Sequence, residues 1–468
     1  MSRNKFYTIM KIIVFELFII LYSAVSIKFT IQSNEPVFLL LLCLIGVITF
    51  LTPNFILRYL MCLFMMLGNL LGVYLCETNS LWLSELAVKS YPAGSFPLLV
   101  IGWSLFLTTL YIFDNLFSLE PSNVIINSFD FKLGKYLINL KSIIPIATFV
   151  LNIVLLCQLI PHPFFLEKLD RFKYFETYLI GLRGKEYNWL STSIPMCLAL
   201  MFTYRTVLLY LNIIIYFIIL FMTGEKFGGY WNTVVFFSII FSIYNDGKDN
   251  RETYKLIAKL FVIFFFILGI LFFHRTLNYG RSTLQSQKTY FIQRIAQQGQ
   301  LWWRTYSLFK EEDYKKNNLQ DEYKTFFQLD DRNEKKFNHA IYKIMRYTTP
   351  SNIFNQKVSS GSRYSTSTFA SMYFYFKENG VVIYGIAGAI VYWLIMRSFI
   401  YSVRHLYFPE LYATTRLLMN SYNAMTQSEF NLLFSYRTLS YIILFIIFYL
   451  IRKQIYKSCK REYHAITK

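Results

Sequence analysis

Along this chain, runs of apolar residues almost free of charge alternate with short polar segments, and the alternation continues from one end to the other. Residues 12–26, 37–51, 98–113 and 260–273 hold few or no charges. Their lengths approach the roughly 20 residues of a helix that crosses a bilayer. The pattern predicts about twelve transmembrane helices, at 7–27, 37–53, 57–76, 96–117, 142–161, 189–204, 206–223, 229–244, 257–274, 381–400, 411–432 and 437–452. The sixth to eighth spans are short. Arg416 and Glu429 interrupt the eleventh, which predicts a helix facing a cavity or protein rather than lipid. The expected architecture is an all-α integral membrane protein, one polytopic body over 1–468. A large, partly helical external loop at 276–380 separates the ninth and tenth spans.

Composition strengthens this picture. Of the 468 residues, 55% are hydrophobic and 16% charged, against about 25% charged in soluble domains. Too few charges remain to cover a water-facing surface. Aromatic residues make up 19% of the chain, as suits rings that pack in lipid and anchor helix ends at the headgroups. The N-terminus, Met1-Ser-Arg-Asn-Lys, precedes a long apolar run with no small-residue cleavage site, which predicts a retained first helix. Cys43, Cys62, Cys157 and Cys197 fall within apolar runs without metal-like spacing and read as buried thiols.

The net charge of +20 does not point to nucleic acid, because the cations are dispersed over loops between apolar runs. They fit cytoplasmic anchoring and attraction to anionic lipids or lipid-linked phosphates. The tail carries Arg452, Lys453, Lys457, Lys460, Arg461 and Lys468, and the start carries Arg3, Lys5 and Lys11. Both ends are therefore expected in the cytoplasm, with an even number of spans. Loops 132–141 and 248–259 then lie inside. Loop 162–188 strains the rule: it holds five Lys and Arg, softened by Glu167, Asp170, Glu176 and Glu186, yet alternation puts it outside. Loop 276–380 carries 16 Lys plus Arg against 9 Asp plus Glu, a balance of +7. An external loop shaped by topology alone is poor in cations, so an anionic ligand is the simplest reason for the excess.

Three segments could carry chemistry. The hinge Thr223-Gly-Glu-Lys-Phe-Gly-Gly229 joins two spans on the outer side, where Lys226 could reach a phosphate or simply snorkel to the interface. Residues 293–304, Gln-Arg-Ile-Ala-Gln-Gln-Gly-Gln-Leu-Trp-Trp-Arg, set Arg294 and Gln298 four apart, on one face if helical. Gln300, Trp302 and Trp303 add amides and flat apolar faces that suit sugar rings. The guanidinium groups of Arg294 and Arg304 suit a pyrophosphate. The competing reading is an interfacial amphipathic helix. Residues 359–368, with Arg363 among serines and threonines, could bind an anion at a helix start or serve as a plain polar loop with a helix cap. Arg183, Arg275 and Arg281 are further outer arginines, each as readily an anchor as a ligand. Asp330 and Asp331 read as solvated surface, His274 as an anchor and His339 as a possible base. The loop after the first span lacks an acidic pair for a divalent metal, and neither a phosphate-cradling glycine loop nor a nucleophile elbow is present.

The hinge Thr223-Gly-Glu-Lys-Phe227, the stretch 294–303 and the large loop between the ninth and tenth of twelve spans resemble the O-antigen polymerases of the Wzy type. The resemblance covers the whole chain in architecture; its paired arginine-glycine loop motifs are not cleanly matched. It implies a GT-C-like, inverting glycosyltransferase that needs no metal or other cofactor. Such an enzyme joins undecaprenyl-pyrophosphate-linked oligosaccharide repeat units at the periplasmic face of the bacterial inner membrane. It also implies roles for Lys226, Arg294 and Arg363 on the donor pyrophosphate. Arg183, Arg275, Arg281, Gln298, Gln300, Trp302, Trp303 and Arg304 would bind substrate. The expected partners are the lipid-linked donor and acceptor, membrane lipids and a chain-length regulator protein, with no nucleic acid. The rivals are a lipid-linked oligosaccharide flippase and a multipass acyltransferase or ligase-like enzyme. A flippase should show two similar halves and short loops, which the long loop argues against. An acyltransferase should carry a histidine or paired arginines on the cytoplasmic side, where Arg205 is the one candidate.

Overall fold

A computed structural model describes most of residues 52–117, 130–133, 136–167, 171–225, 228–245, 251–260, 284–310, 340–359, 363–365, 368–427 and 435–466. The first, second and ninth predicted spans lie largely outside these residues, as do Lys226, Arg275, Arg281 and His339. Among the described residues the regular structure is helical, apart from two small antiparallel hairpins. One pairs Trp82–Leu83 with Val88–Lys89, and the other pairs Asp130–Leu133 with Tyr136–Asn139. Four helical stretches here are long and apolar enough to cross a membrane: Leu60–Thr78, Phe96–Leu116, Ser142–Glu167 and Thr368–His405. The helices Val207–Met222 and Gly228–Tyr244 fall within a residue of the predicted seventh and eighth spans.

The chain gathers into two compact units. Unit 1 comprises Met1–Pro121, Asn245–Leu394 and Ser421–Phe434, and so holds all of loop 276–380. Unit 2 comprises Ser122–Tyr244, Ile395–Asn420 and Ser435–Lys468.

The core of unit 1 is aromatic. Trp103 meets Phe106 and Phe369 edge to face, at ring distances of 5.6 and 5.2 Å, and Phe369 meets Tyr384 at 5.0 Å. Such pairs each contribute about 0.5–1.5 kcal/mol beyond the area they bury. The helix Phe96–Leu116 starts where Ser95 and Pro97 favour a first turn. The turn just ahead of it is held from the preceding helix: Glu77 accepts from the Ser95 amide and hydroxyl at 2.6 Å each, and from the Gly94 amide at 3.0 Å. A carboxylate there also complements the positive end of the helix dipole.

The predicted tenth span, 381–400, is longer than its apolar run suggests. Helical structure begins at Thr368 and continues to His405, through a π-helical segment at Tyr384–Gly388. At Lys377 the backbone turns into the left-handed region (φ 54°, ψ −140°), and the helix breaks there. The Lys377 ammonium donates to the Phe309 carbonyl at the end of the loop helix Gln300–Phe309. A long-range polar contact thus accompanies a kink that hydropathy cannot register.

The described helices of loop 276–380 pack on one another, with Phe309 meeting Tyr347 edge to face, and on apolar helices of unit 1. The loop helix Leu284–Ala296 lies against Leu60–Thr78, and the Asn69 amide donates to the Gln298 carbonyl at 2.8 Å. The contact is backbone to backbone: a Cβ on Gly72 would stand 2.5 Å from the Gly299 nitrogen and 2.7 Å from the Ile295 oxygen. Neither atom can swing aside, so Gly72→Ala is expected to destabilise by about 1–3 kcal/mol, as other overpacked sites do. A thermal melt in detergent checks this, and an unchanged midpoint would contradict the packing.

In unit 2 the helix Leu140–Leu159 pairs with Val207–Met222 through a buried amide clamp. Asn152 donates to the Asn212 side-chain oxygen at 2.8 Å, and Asn212 donates to the Pro145 carbonyl at 2.9 Å. Polar pairs of this kind join helices where apolar contact alone gives little preference over lipid. The opposite face of the first helix exposes Ile143, Ile146, Val150, Ile153 and Val154, a helical stripe of apolar side chains that water would penalise and lipid accepts.

Unit 2 also buries an ion pair. Arg452 donates through Nε to Glu410 at 2.8 Å and through a terminal nitrogen to the Tyr401 hydroxyl at 2.6 Å. Their side chains are 9% and 0% exposed. Arg416 donates to the Asn188 carbonyl at 3.0 Å and lies 5.9 Å from the Tyr412 ring. The charge that interrupts the eleventh predicted span thus has protein partners, on a helix, Phe408–Gln427, that is not one of the four stretches long and apolar enough to cross a membrane. Glu429 lies outside the described residues.

Candidate functional site

In unit 1 the segment after Leu60–Thr78 forms the short hairpin around Glu85, which becomes a hub. Gln300 donates to one Glu85 oxygen at 2.5 Å and the Lys357 ammonium to the other at 2.8 Å. The Tyr364 hydroxyl donates to the Glu85 carbonyl at 2.7 Å, and its ring lies 5.4 Å from the Lys357 ammonium. Burial pushes the Tyr364 phenol up to about 12, so it remains a donor throughout the physiological range. Two loop side chains far from Glu85 in sequence, Gln300 and Lys357, thus meet on its carboxylate, and Tyr364 holds its backbone. Loop hydropathy gives no hint of Glu85 or Lys357; the available signal is an acid placed between two spans, opposite a cation-rich loop.

The predicted site residues divide into groups. Trp302 and Trp303 are 1% and 0% exposed, and Gln300 is fully buried. The indole N–H of Trp302 donates to the Ser95 carbonyl at 3.1 Å, and that of Trp303 to the Tyr91 carbonyl at 2.9 Å. The ring faces that suited a sugar in sequence are packed against protein instead, with Trp302 against Tyr373 at 5.5 Å and Trp303 against Tyr91 at 5.1 Å. Their role here is to pin the loop helix onto the membrane helices.

Arg294 and Gln298 do not share a helical face, because the helix stops at Ala296 and Gln298 sits in the following turn. Gly299 in that turn fits the narrow approach to Gly72, which ends the helix before Gln298. Arg294 is exposed, bound to the Tyr290 hydroxyl and, at 2.9 Å, to Gln297. Gln298 accepts from Ser365 at 2.7 Å, which brings this turn beside the irregular stretch that holds Arg363. Arg363 donates to the Tyr342 hydroxyl at 3.2 Å and to Gln427 at 3.1 Å, with its guanidinium 5.4 Å from the Tyr342 ring. Arg294 and Arg363 share no partner in these bonds.

Arg304 differs from both. It lies on Gln300–Phe309, two residues from Trp302, and is half-buried. Its Nε is buried and has no hydrogen-bond acceptor, and among the described residues no carboxylate pairs with it. Burial lowers its affinity for the proton, partly offset by the Tyr91 phenol nearby. A guanidinium keeps its charge regardless, so this position holds a partly desolvated cation whose Nε–H lacks an acceptor among the described residues.

In unit 2 the hinge around residue 224 is built for tight turning. Gly224 has φ +66° and lies against the Phe164 ring, where a Cβ would be 2.5 Å from Cγ. Glu225 closes the start of the next helix by accepting from the Gly229 amide at 3.2 Å. The 162–188 loop is largely helical, at Phe164–Glu167, Arg171–Tyr178 and the first turns of Leu182–Tyr204. Arg183 donates to the Tyr178 carbonyl at 3.5 Å.

Compared with known proteins, the chain matches no known family, no curated sequence and no solved structure.

Proposed function

We propose that this chain is a polysaccharide polymerase of the O-antigen type. In this reading it is an inverting glycosyltransferase with about twelve spans and a GT-C-like plan. It sits in the bacterial inner membrane with both termini cytoplasmic and its working face toward the periplasm. The observation that carries the reading is Arg304, a half-buried guanidinium with an unmet Nε–H in a loop of net positive charge.

The chemistry needs what that residue offers. A lipid pyrophosphate is already an activated leaving group, so transfer calls mainly for positioning and for stabilising the charge that develops as the anomeric bond breaks. A preorganised guanidinium in a partly dry setting supplies that charge, and its fork of donors fits phosphate oxygens. Arg363, held between Tyr342 and Gln427, would be a second cation for the same donor lipid. Lys226 and Arg294 remain in the reading as cations of the outer face. The partners would be donor and acceptor undecaprenyl-pyrophosphate repeat units, with a chain-length regulator setting product size.

The test is the glycan made by cells deleted for this chain. A polymerase reading expects lipid A core capped by a single repeat unit, restored to long polymer by the wild-type chain. Core with no repeat unit at all would point to a flippase and end this proposal.

A further inference from the structure

Two arginines of unit 2 gather around one tyrosine ring. Arg416 lies on the helix Phe408–Gln427 and Arg437 on the first turn of Tyr436–Ile466. The Asn420 amide ties these helices by donating to the Thr438 hydroxyl at 2.9 Å, and the Tyr412 and Tyr441 rings meet edge to face at 6.3 Å. The Tyr441 phenol lies within electrostatic reach of both guanidinium groups. The partners of Arg416 are neutral, a backbone carbonyl at Asn188 and the Tyr412 ring, and its buried Nε has no acceptor. Among the described residues no carboxylate pairs with it. Glu410, the one acid on its helix, is taken by Arg452. Glu186, two residues before Asn188, keeps a buried oxygen without a donor and does not answer it either. Arg437 donates to the Tyr436 hydroxyl at 3.2 Å, with its guanidinium 5.8 Å from that ring. Like charges gathered in this way repel, and an anion beside them reverses the sign of the interaction.

The surroundings say which anion. Just after Arg437 the same helix exposes Leu439, Ile442, Ile443, Ile446, Ile447 and Leu450, a stripe at helical spacing that lipid chains cover. Trp189, next to Asn188, is 61% exposed, and an exposed indole among tyrosines belongs at the headgroup level of a bilayer. We propose that Arg416 and Arg437 hold the phosphate of an anionic phospholipid, with its acyl chains along the 439–450 stripe. The guanidinium fork fits phosphate oxygens. A free phosphate would answer the cations and leave the stripe bare. A zwitterionic lipid would cover the stripe and bring an ammonium of its own to two arginines. Only an anionic lipid meets both features. The site is built from unit 2 alone, and it holds whether or not the chain transfers sugars.

The experiment titrates full-length purified protein in detergent with phosphatidylglycerol, phosphatidylcholine and inorganic phosphate. Native mass spectrometry reads retained lipid, and a thermal melt reads the gain in stability. Wild type should retain phosphatidylglycerol in preference to phosphatidylcholine and melt higher with it. Losing a charge-assisted contact costs about tenfold to hundredfold in affinity, so Arg416→Gln is expected to weaken phosphatidylglycerol by that factor. Arg416→Lys should lose less, because charge remains while the fork is gone. Arg437→Gln, at an exposed position, should weaken the lipid too while its lipid-free melt matches wild type. It decides the matter alone if Arg416→Gln does not fold. Equal affinity of wild type for the two lipids, or full phosphatidylglycerol affinity in the folded variants, would overturn the assignment. A melt raised as far by inorganic phosphate would make the ligand a free anion, and co-purified polyprenyl pyrophosphate that phosphatidylglycerol cannot displace would make it another lipid; either result would overturn the phospholipid.

Discussion

Replacing Arg304 by Met is expected to cut polymer formation by tenfold to a hundredfold while the folded protein melts no lower than wild type. Under the proposed function, the first half follows from losing a charge-assisted contact to the donor, worth about 1.5–3 kcal/mol, at about 1.4 kcal/mol per decade of rate. The second half follows from the resting fold, in which the guanidinium is half-buried with its Nε unmet. An apolar side chain of similar length removes that cost, the usual trade between a strained site and stability. Arg304→Lys should recover only part of the rate, since a single ammonium cannot grip two phosphate oxygens as the fork does. Turnover of lipid-linked repeat unit and a thermal melt on the same samples check both halves. A variant that melts lower and turns over normally would make Arg304 a packing residue.

The second large effect concerns stability alone. Glu410→Leu leaves Arg452 buried beside Tyr401 without its anion, and Arg452→Met leaves a fully buried carboxylate. Each should cost about 3–5 kcal/mol, since removing one partner strands the other charge away from water. The double change Glu410→Leu with Arg452→Met should recover much of that loss, because the expense lies in the unpaired charge and not in the absence of the pair. Melting of the four proteins in one detergent reads the cycle. Strict additivity of the two single losses would mean that the groups do not hold each other.

Sequence made the apolar helices legible wherever local signals marked their ends. Ser95 and Pro97 start a helix at the predicted boundary, and Thr206 precedes another that ends at Met222. What stayed hidden depends on partners hundreds of residues away. The doublet Trp302-Trp303 reads equally well as a sugar platform and as an anchor, and only its bonds to Ser95 and Tyr91 decide for packing. The expectation that Arg294 and Gln298 share a face failed because the helix stops at Ala296, before the turn at Gly299. The cation excess of loop 276–380 was visible in composition, yet the same +7 covers paired and unpaired groups alike. Lys357 is answered by Glu85 and Arg304 is not, and no count of charges separates the two.

The close seat of Gly299 on Gly72 also sets a schedule for biogenesis. Asn69 finds its acceptor at Gln298, 229 residues later in the chain. At about 5–20 residues per second of synthesis, the helix Leu60–Thr78 waits about 10 to 50 seconds with a glycine notch unfilled and an amide unanswered. During that interval an unmet polar group on an apolar helix costs free energy, the more so inside a bilayer. The nascent helix therefore needs either a temporary neighbour from the insertion machinery or a shallow position until the loop arrives. The notch in Leu60–Thr78 is then filled late in synthesis, by the turn that carries Gln298 and Gly299.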